Sequence, residues 1–190
     1  MSMTRCLPYA APWLLLLTAA SNEAGTPHYT AANELVVPAD YREWVYLSSG
    51  LDMSYTEAEA KREHSVFDNV FVNPAAWAAF KKSGHWPDKT VFVMENRGAG
   101  THESINKQGF FQTEDFQGLE FHVRDENRFP GGWGFFASNG KQPATLLPTS
   151  APCYACHKSN GAVDTTFTQF YPTAKPIAVK AGTYRSESSQ

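Results

Sequence analysis

The sequence predicts an α+β fold, a mostly antiparallel β-sheet with a few helices. Residues 117–124 alternate between apolar and polar side chains, as expected of a strand with one buried face. Residues 66–72 are β-branched and aromatic, which favours a second strand. Between them, Pro74 and Gly84 bracket an alanine-rich segment with the start and stop signals of a helix.

The first 24 residues of the 190-residue chain have the features of a cleaved secretion signal. Arg5 supplies a positive charge, residues 13–17 are apolar, and residues 18–20 offer small side chains for cleavage. The apolar run is too short to cross a bilayer, for which about 20 residues are needed. We therefore expect an exported, periplasmic protein without a membrane span. The alternative is a buried N-terminal helix.

The folded domain is expected over residues 35–180, after a flexible leader at 25–34 and before a tail at 181–190. Residues 41–47 fit a strand or a short helix equally well, because their periodicity does not decide between the two. Residues 56–64 are charged and alanine-rich, which predicts an exposed helical turn or loop.

The clearest helix follows the strand at 66–72. Asn73 is a suitable N-cap, and Pro74 occupies the first helical position, where its missing N–H costs nothing. Lys81 and Lys82 favour the C-terminal end of the helix dipole, and Gly84 is expected to end the helix.

Beyond the helix, strands are predicted at residues 90–97 and 133–137, with another beginning at 110–111. Gly98 and Gly100 are expected to end the first of these strands, and residues 130–132 form a turn before the last. The alternating segment 117–124 has two faces: Leu119, Phe121 and Val123 on one, and Glu120, His122 and Arg124 on the other.

The cysteines carry the most specific chemical signal. Cys6 lies in the predicted secretion signal, which leaves Cys153 and Cys156 in the mature chain. Residues 153–157 form a C-x-x-C-H sequence, the attachment signature of c-type haem. Two thiols at this spacing can each bond one vinyl group of the same porphyrin, and His157 then falls under the ring centre as an iron ligand. The sequence thus predicts one covalently attached haem c, on a short helix near the C-terminus.

Three other interpretations of the motif fit less well. A thioredoxin-like pair follows a strand at the start of a βαβ unit, whereas this pair lies near the C-terminus behind prolines. A zinc site lacks a second cysteine pair and would have to recruit histidines or carboxylates. A disulfide would close only a tiny loop. The net charge of −3 also argues against a nucleic-acid partner.

The chemistry of the iron depends on its sixth ligand. A methionine there favours electron transfer, whereas an open position favours the binding of small molecules. Met53 and Met94 are the methionines that follow the predicted signal, and Met94 is better interpreted as a core side chain than as a ligand. The histidines are expected to be exposed or structurally satisfied: His28, His64, His85, His102 and His122.

Several segments resemble the cytochrome P-460 family. They are residues 41–45, 67–74, 118–120, 128–130, 133, 135–136, 153–157 and 163–172. The resemblance extends from about residue 35 to residue 176. It implies a mostly antiparallel sheet with one c-type haem attached late in the chain. It also implies an iron with a histidine on one side and an open site on the other, a homodimer, and a redox partner protein.

Members of this family differ in the pocket above the iron. Those that oxidise hydroxylamine have a lysine joined to the porphyrin edge, whereas the beta-type cytochromes c-prime lack that link and bind nitric oxide under an aromatic cap. By the resemblance, the lysine should fall at or next to Met94, but residues 94–97 contain none. Lys89 and Lys107 fit only with a gap. This departure argues against hydroxylamine oxidation.

By the same resemblance, Glu120 matches a carboxylate that accepts a proton during hydroxylamine oxidation, a reaction that releases protons as well as electrons. The alternative is that Glu120 lies on a solvated sheet face. Glu95 and Arg97 share a strand face and form either a pocket pair or a surface ion pair. The candidates for the distal pocket are Phe67, Phe71, Phe92, Met94, Glu95 and Phe111.

Three functions follow from these observations. The favoured one is a haem protein that binds a small nitrogen ligand, nitric oxide or hydroxylamine, with or without turnover as a haem oxidoreductase. The second is a six-coordinate electron-transfer cytochrome c, although ordinary small cytochromes c carry the motif near the mature N-terminus. The third is a haem that serves as a sensor or structural element in a partner-binding protein.

Overall fold

The computed structural model describes residues 25–55 and 63–186. The predicted secretion signal, residues 56–62 and the last four residues lie outside the described residues. In the part described, six strands form one antiparallel sheet in sequence order. The strands are β1 (Val45–Leu51), β2 (Val66–Val72), β3 (Val91–Gly100), β4 (Phe111–Arg124), β5 (Trp133–Ser138) and β6 (Thr145–Leu146). The helices are α1 (Pro74–Ser83), α2 (Pro152–Asn160) and α3 (Lys175–Ala181). The predicted α+β fold is confirmed.

The segment at 41–47 contains both of its predicted alternatives. A short 3-10 turn occupies Tyr41–Glu43, and β1 begins directly after it at Val45. The turn buries the ring of Tyr41, whereas β1 lies at one edge of the sheet and pairs only with β2 among the described strands.

Helix α1 begins and ends where the sequence predicts. The left-handed conformation of Gly84, at φ 73°, ends the helix, and its N–H donates to the carbonyl of Phe80 at 2.8 Å. Asn73 precedes the helix, but its side chain makes no capping bond. Instead its amide oxygen accepts from the N–H of Val91 at 2.9 Å, and its amide nitrogen donates to the carbonyl of Lys89. Asn73 therefore fastens the start of α1 to the start of β3.

Strands β3 and β4 are longer than predicted. Strand β3 ends at Gly100, within the predicted glycine break, but it continues through Gly98, which was also expected to end it. A Cβ on Gly98 would stand 2.7 Å from the carboxylate of Asp115, and one on Gly100 would stand 2.7 Å from the ring of Phe111. The glycines thus allow β4 side chains to approach the backbone of β3 closely. The predicted beginning of a strand at 110–111 and the alternating segment belong to one strand, β4.

The two faces of the sheet are defined by alternate residues of β3 and β4. The core face carries Val91, Val93, Leu119 and Phe121, which are buried with the other members of one apolar cluster. Those other members are Leu35, Tyr41, Trp44, Val123, Phe129, Phe136 and Ala144. Each large side chain fully buried there contributes about 1.5–3 kcal/mol of transfer free energy. The cavity face carries Phe92, Met94, Glu120 and His122 and faces α2.

Residues 25–34, the predicted leader, contact the core face of the sheet through Tyr29. Tyr29 pairs with Leu35 in an isolated bridge, and its ring contacts the rings of Phe129 and Phe136. The guanidinium of Arg128 lies 4.0 Å from the centre of the Tyr29 ring. The sequence of this segment is mostly polar and did not indicate the packing, because the single aromatic residue Tyr29 makes most of the contacts.

The helices of the described residues are short. The longest is α1, with 10 residues, and both α2 and α3 carry a proline in their first turn. Across residues 25–55 and 63–186, no helix has the length and apolarity needed to cross a membrane. Helix α2 lies over β5, where the hydroxyl of Tyr154 accepts from the N–H of Phe135 and donates to the carbonyl of Leu147.

Candidate functional site

A cavity of about 380 Å³ lies between the cavity face of the sheet and α2. Cys153, Cys156 and His157 line it from the helix. Phe92 and Met94 of β3 line it from the sheet. The loop after β1 and the segment after α2 complete its walls with Met53, Tyr55, Phe167, Phe170 and Tyr171.

Helix α2 is what brings the two cysteines and the histidine together. Residues three positions apart on a helix lie on the same face, so Cys153 and Cys156 both point towards the cavity. Neither forms a disulfide, and both are partly buried. Burial raises the pKa of the Cys153 thiol, so this side chain is protonated at neutral pH. The pair is available for chemistry rather than used to close a loop.

His157 is fixed in one tautomer by a backbone hydrogen bond. Its Nδ1 donates to the carbonyl of Thr165 at 2.9 Å, because a carbonyl oxygen can only accept. Burial lowers the pKa of His157, outweighing the opposite effect of the Thr165 carbonyl, so the imidazole is neutral at neutral pH. A neutral imidazole with Nδ1–H occupied presents Nε2 as a metal ligand.

Three rings surround the His157 imidazole. Phe167 stacks on it with ring centres 4.1 Å apart, while Phe135 and His122 meet it edge to face, each at 4.7 Å. Such contacts restrict rotation of the His157 side chain about χ1 and χ2. Together with the Thr165 hydrogen bond, they hold the His157 plane in a single orientation.

Sequence reasoning missed His122, and the expectation that it is exposed or satisfied is wrong. The residue is only 7% exposed, its ring stacks on Phe135, and its buried Nε2 has no hydrogen-bond partner among the described residues. Burial, and then the proximity of His157, place the pKa of His122 well below its usual value. An edge-to-face contact of 4.7 Å with His157 leaves no space for a porphyrin between the two rings. His122 is therefore not placed to bind the same iron from the opposite side. The sequence feature that could have indicated His122 is that it lies two residues from Glu120 and therefore on the same face of β4.

Only part of the predicted distal pocket borders the cavity. Of the six predicted pocket residues, Phe92 and Met94 line it. Glu120, predicted as a proton acceptor, lines it too, and the amide nitrogen of Asn96 lies 3.5 Å from its Oε1. Phe92 is buried, Met94 is half-buried, and Glu120 is exposed.

The other four residues predicted for the distal pocket do not line this cavity. They are Phe67, Phe71, Glu95 and Phe111. The first three lie on the opposite side of β2 and β3 from Asp68, Val70 and Met94, because successive side chains of a strand point to opposite faces. Phe71 packs against Tyr41 and Tyr46 instead. Phe111 lies at the far end of β4 against Gly100.

Glu95 belongs to an ionic cluster on the core side of the sheet. Its carboxylate accepts hydrogen bonds from Tyr41, Arg42 and Arg97 and is 4% exposed. Burial alone would raise the pKa of Glu95, but the hydrogen bonds from Arg97, Tyr41 and Arg42 outweigh it and lower the pKa. Burial and the same carboxylate raise the pKa of Tyr41 to about 12. Glu95 and Arg97 therefore form neither a surface ion pair nor a pocket pair, the two predicted alternatives. They belong to a buried cluster instead.

No lysine is found among the described residues that line the cavity. Nζ of Lys89 pairs with Asp125 at 2.6 Å, and Nζ of Lys107 donates to the carbonyl of Ser104. Met94, where the resemblance places the cross-linked lysine, faces the cavity. Met94 has no amine, so the lysine link of the hydroxylamine-oxidising members is not available from this position.

The donor set fits a haem c. Two free thiols on one helix face, a neutral imidazole with Nε2 available and walls of aromatic side chains meet in one cavity. A zinc ion fits less well, because the described residues contain no group of three or more His, Cys, Asp or Glu side chains placed to hold a metal ion.

Helix α2 thus turns two cysteines and a histidine into one cavity with aromatic walls, and these residues make up a C-x-x-C-H sequence, the signature of haem attachment. The family model for Cytochrome P460 matches residues 38–168, which is most of the chain. The chain belongs to this family, and membership implies a haem cofactor. No curated protein matches the chain by sequence.

Proposed function

We propose that the protein is an exported mono-haem c-type cytochrome that binds a small nitrogen ligand. In this proposal Cys153 and Cys156 each form one thioether bond to the haem, His157 ligates the iron, and the opposite side of the iron is open. The observation that carries the proposal is that these three side chains share one cavity with Phe92 and Met94. When bound, the haem supplies an iron that binds diatomic or nitrogenous ligands and exchanges electrons with a redox partner protein.

The residues of the chain have separate tasks in this proposal. The thiols prevent dissociation of the haem, and His157, fixed by the Thr165 carbonyl, sets the direction of the iron–nitrogen bond. Phe92 and Met94 give the cavity apolar surface, which suits an uncharged ligand. Glu120 offers an acceptor for protons at the cavity wall.

Nitric oxide is favoured over hydroxylamine as the ligand. Its binding transfers no proton and requires no cross-linked lysine, whereas Met94 occupies the position where the hydroxylamine-oxidising members have that lysine. Hydroxylamine oxidation remains the second activity of the same proposal because Glu120 lines the cavity.

The absorption spectrum of the ferrous protein, with and without nitric oxide, tests the proposal. We expect an ordinary high-spin c-type spectrum that changes on addition of nitric oxide. A strongly red-shifted Soret band would show a lysine cross-link and make hydroxylamine oxidation the leading activity. A six-coordinate spectrum that does not respond to nitric oxide would refute an open site.

Covalent attachment is tested separately by the double variant Cys153→Ala with Cys156→Ala. Haem that survives denaturing electrophoresis should be lost in this variant and retained in Ser159→Ala, an exposed change on the same helix. Retention of covalent haem in the double variant would contradict the assignment of the thiols.

Electron transfer through a methionine-ligated iron is the second candidate function. It is favoured by one observation: Met53 and Met94, from the loop after β1 and from β3, both line the cavity. One of the single variants Met53→Ala and Met94→Ala, the one that removes the ligand, should then convert a low-spin spectrum into a high-spin one. Unchanged spectra in both variants would eliminate this candidate.

Export and dimerisation complete the proposal. The sequence features of residues 1–24 support removal of a signal, and the family resemblance supports a homodimer. Mass spectrometry of the protein recovered from the periplasm should show a chain that starts between residues 19 and 26. Light scattering should give twice the mass of that chain. A full-length chain in the cytoplasm, or a monomeric mass, would contradict the respective part.

A further inference from the structure

The turn that follows α2 has an unusual backbone. Asp164 and Thr165 both adopt the left-handed conformation, at φ 46° and 63°. For residues other than glycine, and for a β-branched threonine above all, this region is strained. The turn is closed by the N–H of Thr166, which donates to the carbonyl of Val163 at 2.7 Å. Its second strained residue, Thr165, is the one whose carbonyl accepts from Nδ1 of His157.

The side chain of Asp164 ties this turn to two other elements. Its carboxylate accepts from the backbone N–H of Trp86 at 2.8 Å and from Nδ1 of His85 at 3.1 Å. Nη1 of Arg124, at the end of β4, lies 3.8 Å from the same carboxylate. Arg124 is itself anchored, since Nη1 also donates to the carbonyl of Trp86. The strained turn is thus held from outside by the loop before β3 and by β4.

Gly161 holds the turn from the other side. A Cβ at this position would stand 2.5 Å from the carbonyl carbon of Thr165 and 2.7 Å from the carbonyl oxygen of His157. The end of α2 and the Thr165 backbone are therefore in direct contact, and only glycine permits this approach. The position of the Thr165 carbonyl is set by Gly161 on one side and by the Asp164 carboxylate on the other.

We infer that Asp164 is a positioning residue for His157. Its carboxylate keeps the Thr165 carbonyl in line with Nδ1–H of His157, and this hydrogen bond makes the imidazole a stronger electron donor to the iron. The inference rests on the proposed ligation of iron by His157. A group that orients the far nitrogen of an axial histidine raises its basicity, which favours ferric over ferrous iron. The Asp164 network therefore acts on the reduction potential without touching the cavity.

The experiment compares Asp164→Ala with Asp164→Asn. Asparagine tolerates the left-handed conformation and keeps an oxygen that accepts from the N–H of Trp86, whereas alanine has neither property. Both variants remove the negative charge. We expect Asp164→Ala to raise the reduction potential and to lower the iron–histidine stretching frequency in resonance Raman spectra. Asp164→Asn should restore at least half of both changes.

Asp125→Ala is the matched control, because Asp125 is a buried carboxylate, paired with Lys89, that makes no contact with the turn in the described residues. It should lower stability and leave the iron–histidine frequency unchanged. Equal shifts in the alanine and asparagine variants of Asp164 would show a charge effect alone and overturn the inference. An unchanged frequency in Asp164→Ala would overturn it as well.

Two further measurements keep the test decisive. Covalent haem is measured first, so a protein without haem contradicts the proposed function, whereas attached haem with an unchanged Asp164→Ala spectrum contradicts only this inference. If Asp164→Ala does not fold, Gly161→Ala displaces the same carbonyl from the other side and should lower the same frequency. No shift in that variant would also overturn the inference.

Discussion

The core face and the cavity face of the sheet are made from alternate residues of the same strands, yet they are completed differently. On the core side even the buried carboxylate of Glu95 has three hydrogen-bonding side chains. On the cavity side, the buried Nε2 of His122 has no partner in the part of the chain that the structure describes. A buried polar atom without a partner costs about 1–3 kcal/mol. The described core side also holds an unpartnered buried atom, Nε1 of Trp44, so what distinguishes the other face is that His122 borders a cavity of about 380 Å³ with room for an added group.

The largest expected effect separates the faces at two adjacent residues. Phe136 points to the core face, where it is 1% exposed, and Phe135 points to the cavity. Phe136→Ala should lower the free energy of unfolding by about 3–5 kcal/mol, because it opens a hole in a closed core. It should leave the haem spectrum unchanged. Phe135→Ala should cost about 3 kcal/mol, at the low end of the same range, and alter the spectrum through His157.

Chemical unfolding and absorption spectra of the two variants measure this difference. If Phe136→Ala changed the spectrum as much as Phe135→Ala does, the two faces would not be independent, and the comparison would fail.

The next effect concerns the ionic cluster of the core side. Glu95→Gln removes the charge that holds Arg97, Arg42 and Tyr41, and hydrogen bonds to charged groups are worth about 1.5–3 kcal/mol. We expect a loss of this size in the free energy of unfolding, measured with denaturant. Because half of the Arg42 side chain is exposed, the loss should lie in the lower part of the range. A stabilised variant would show that desolvation of the buried carboxylate costs more free energy than its hydrogen bonds contribute.

The same cluster predicts a loss of stability in acid. The pKa of Glu95 is lowered in the folded state, so below its ordinary value of about 4.3 the unfolded chain binds a proton that the folded chain resists. The contribution of Glu95 is therefore complete above that pH and is lost as the pH falls towards the lowered pKa. Unfolding curves between about pH 5 and pH 3 should be less steeply pH-dependent in Glu95→Gln than in the unchanged protein. Equal slopes would contradict the lowered pKa.

The sequence was informative where a pattern is local and periodic. It predicted β2, α1 and the alternation of Leu119 with Glu120, because capping residues and side-chain period act within a few positions. It was misleading at Gly98, where the glycine serves a contact with Asp115 on another strand. Three of the pocket candidates lie on strand positions that face away from the cavity, since the face of a strand that borders a cavity depends on which side α2 covers.

Contacts that involve backbone atoms were beyond sequence reasoning. The acceptor for His157 is the carbonyl of Thr165, and any residue has a carbonyl. The partners of Asp164 lie 78 and 79 positions away in the chain, so no local pattern relates them. His122 was missed for a related reason: its burial is created by β5 and α2, which close over a strand face that looks polar in the sequence.

The smallest effect on stability is expected at Glu120. Glu120 is exposed on the cavity face, so Glu120→Gln should change the free energy of unfolding by about 0.5 kcal/mol or less. If it accepts protons from bound hydroxylamine, the same change should slow hydroxylamine oxidation by about 10²–10⁴-fold. The affinity for nitric oxide should not change, because that binding moves no proton.

Asp68→Asn is the matched control for Glu120→Gln, since Asp68 places another carboxylate at the cavity from β2. Equal losses of turnover in the two variants would indicate a general effect of negative charge, whereas a loss confined to Glu120→Gln identifies a proton acceptor. Hydroxylamine turnover that is absent even in the unchanged protein, with intact binding of nitric oxide, would assign Glu120 to the cavity wall alone. Glu120→Gln should thus change hydroxylamine turnover while the free energy of unfolding stays nearly constant. Phe136→Ala on the core face should do the reverse, lowering the free energy of unfolding and leaving the haem spectrum unchanged.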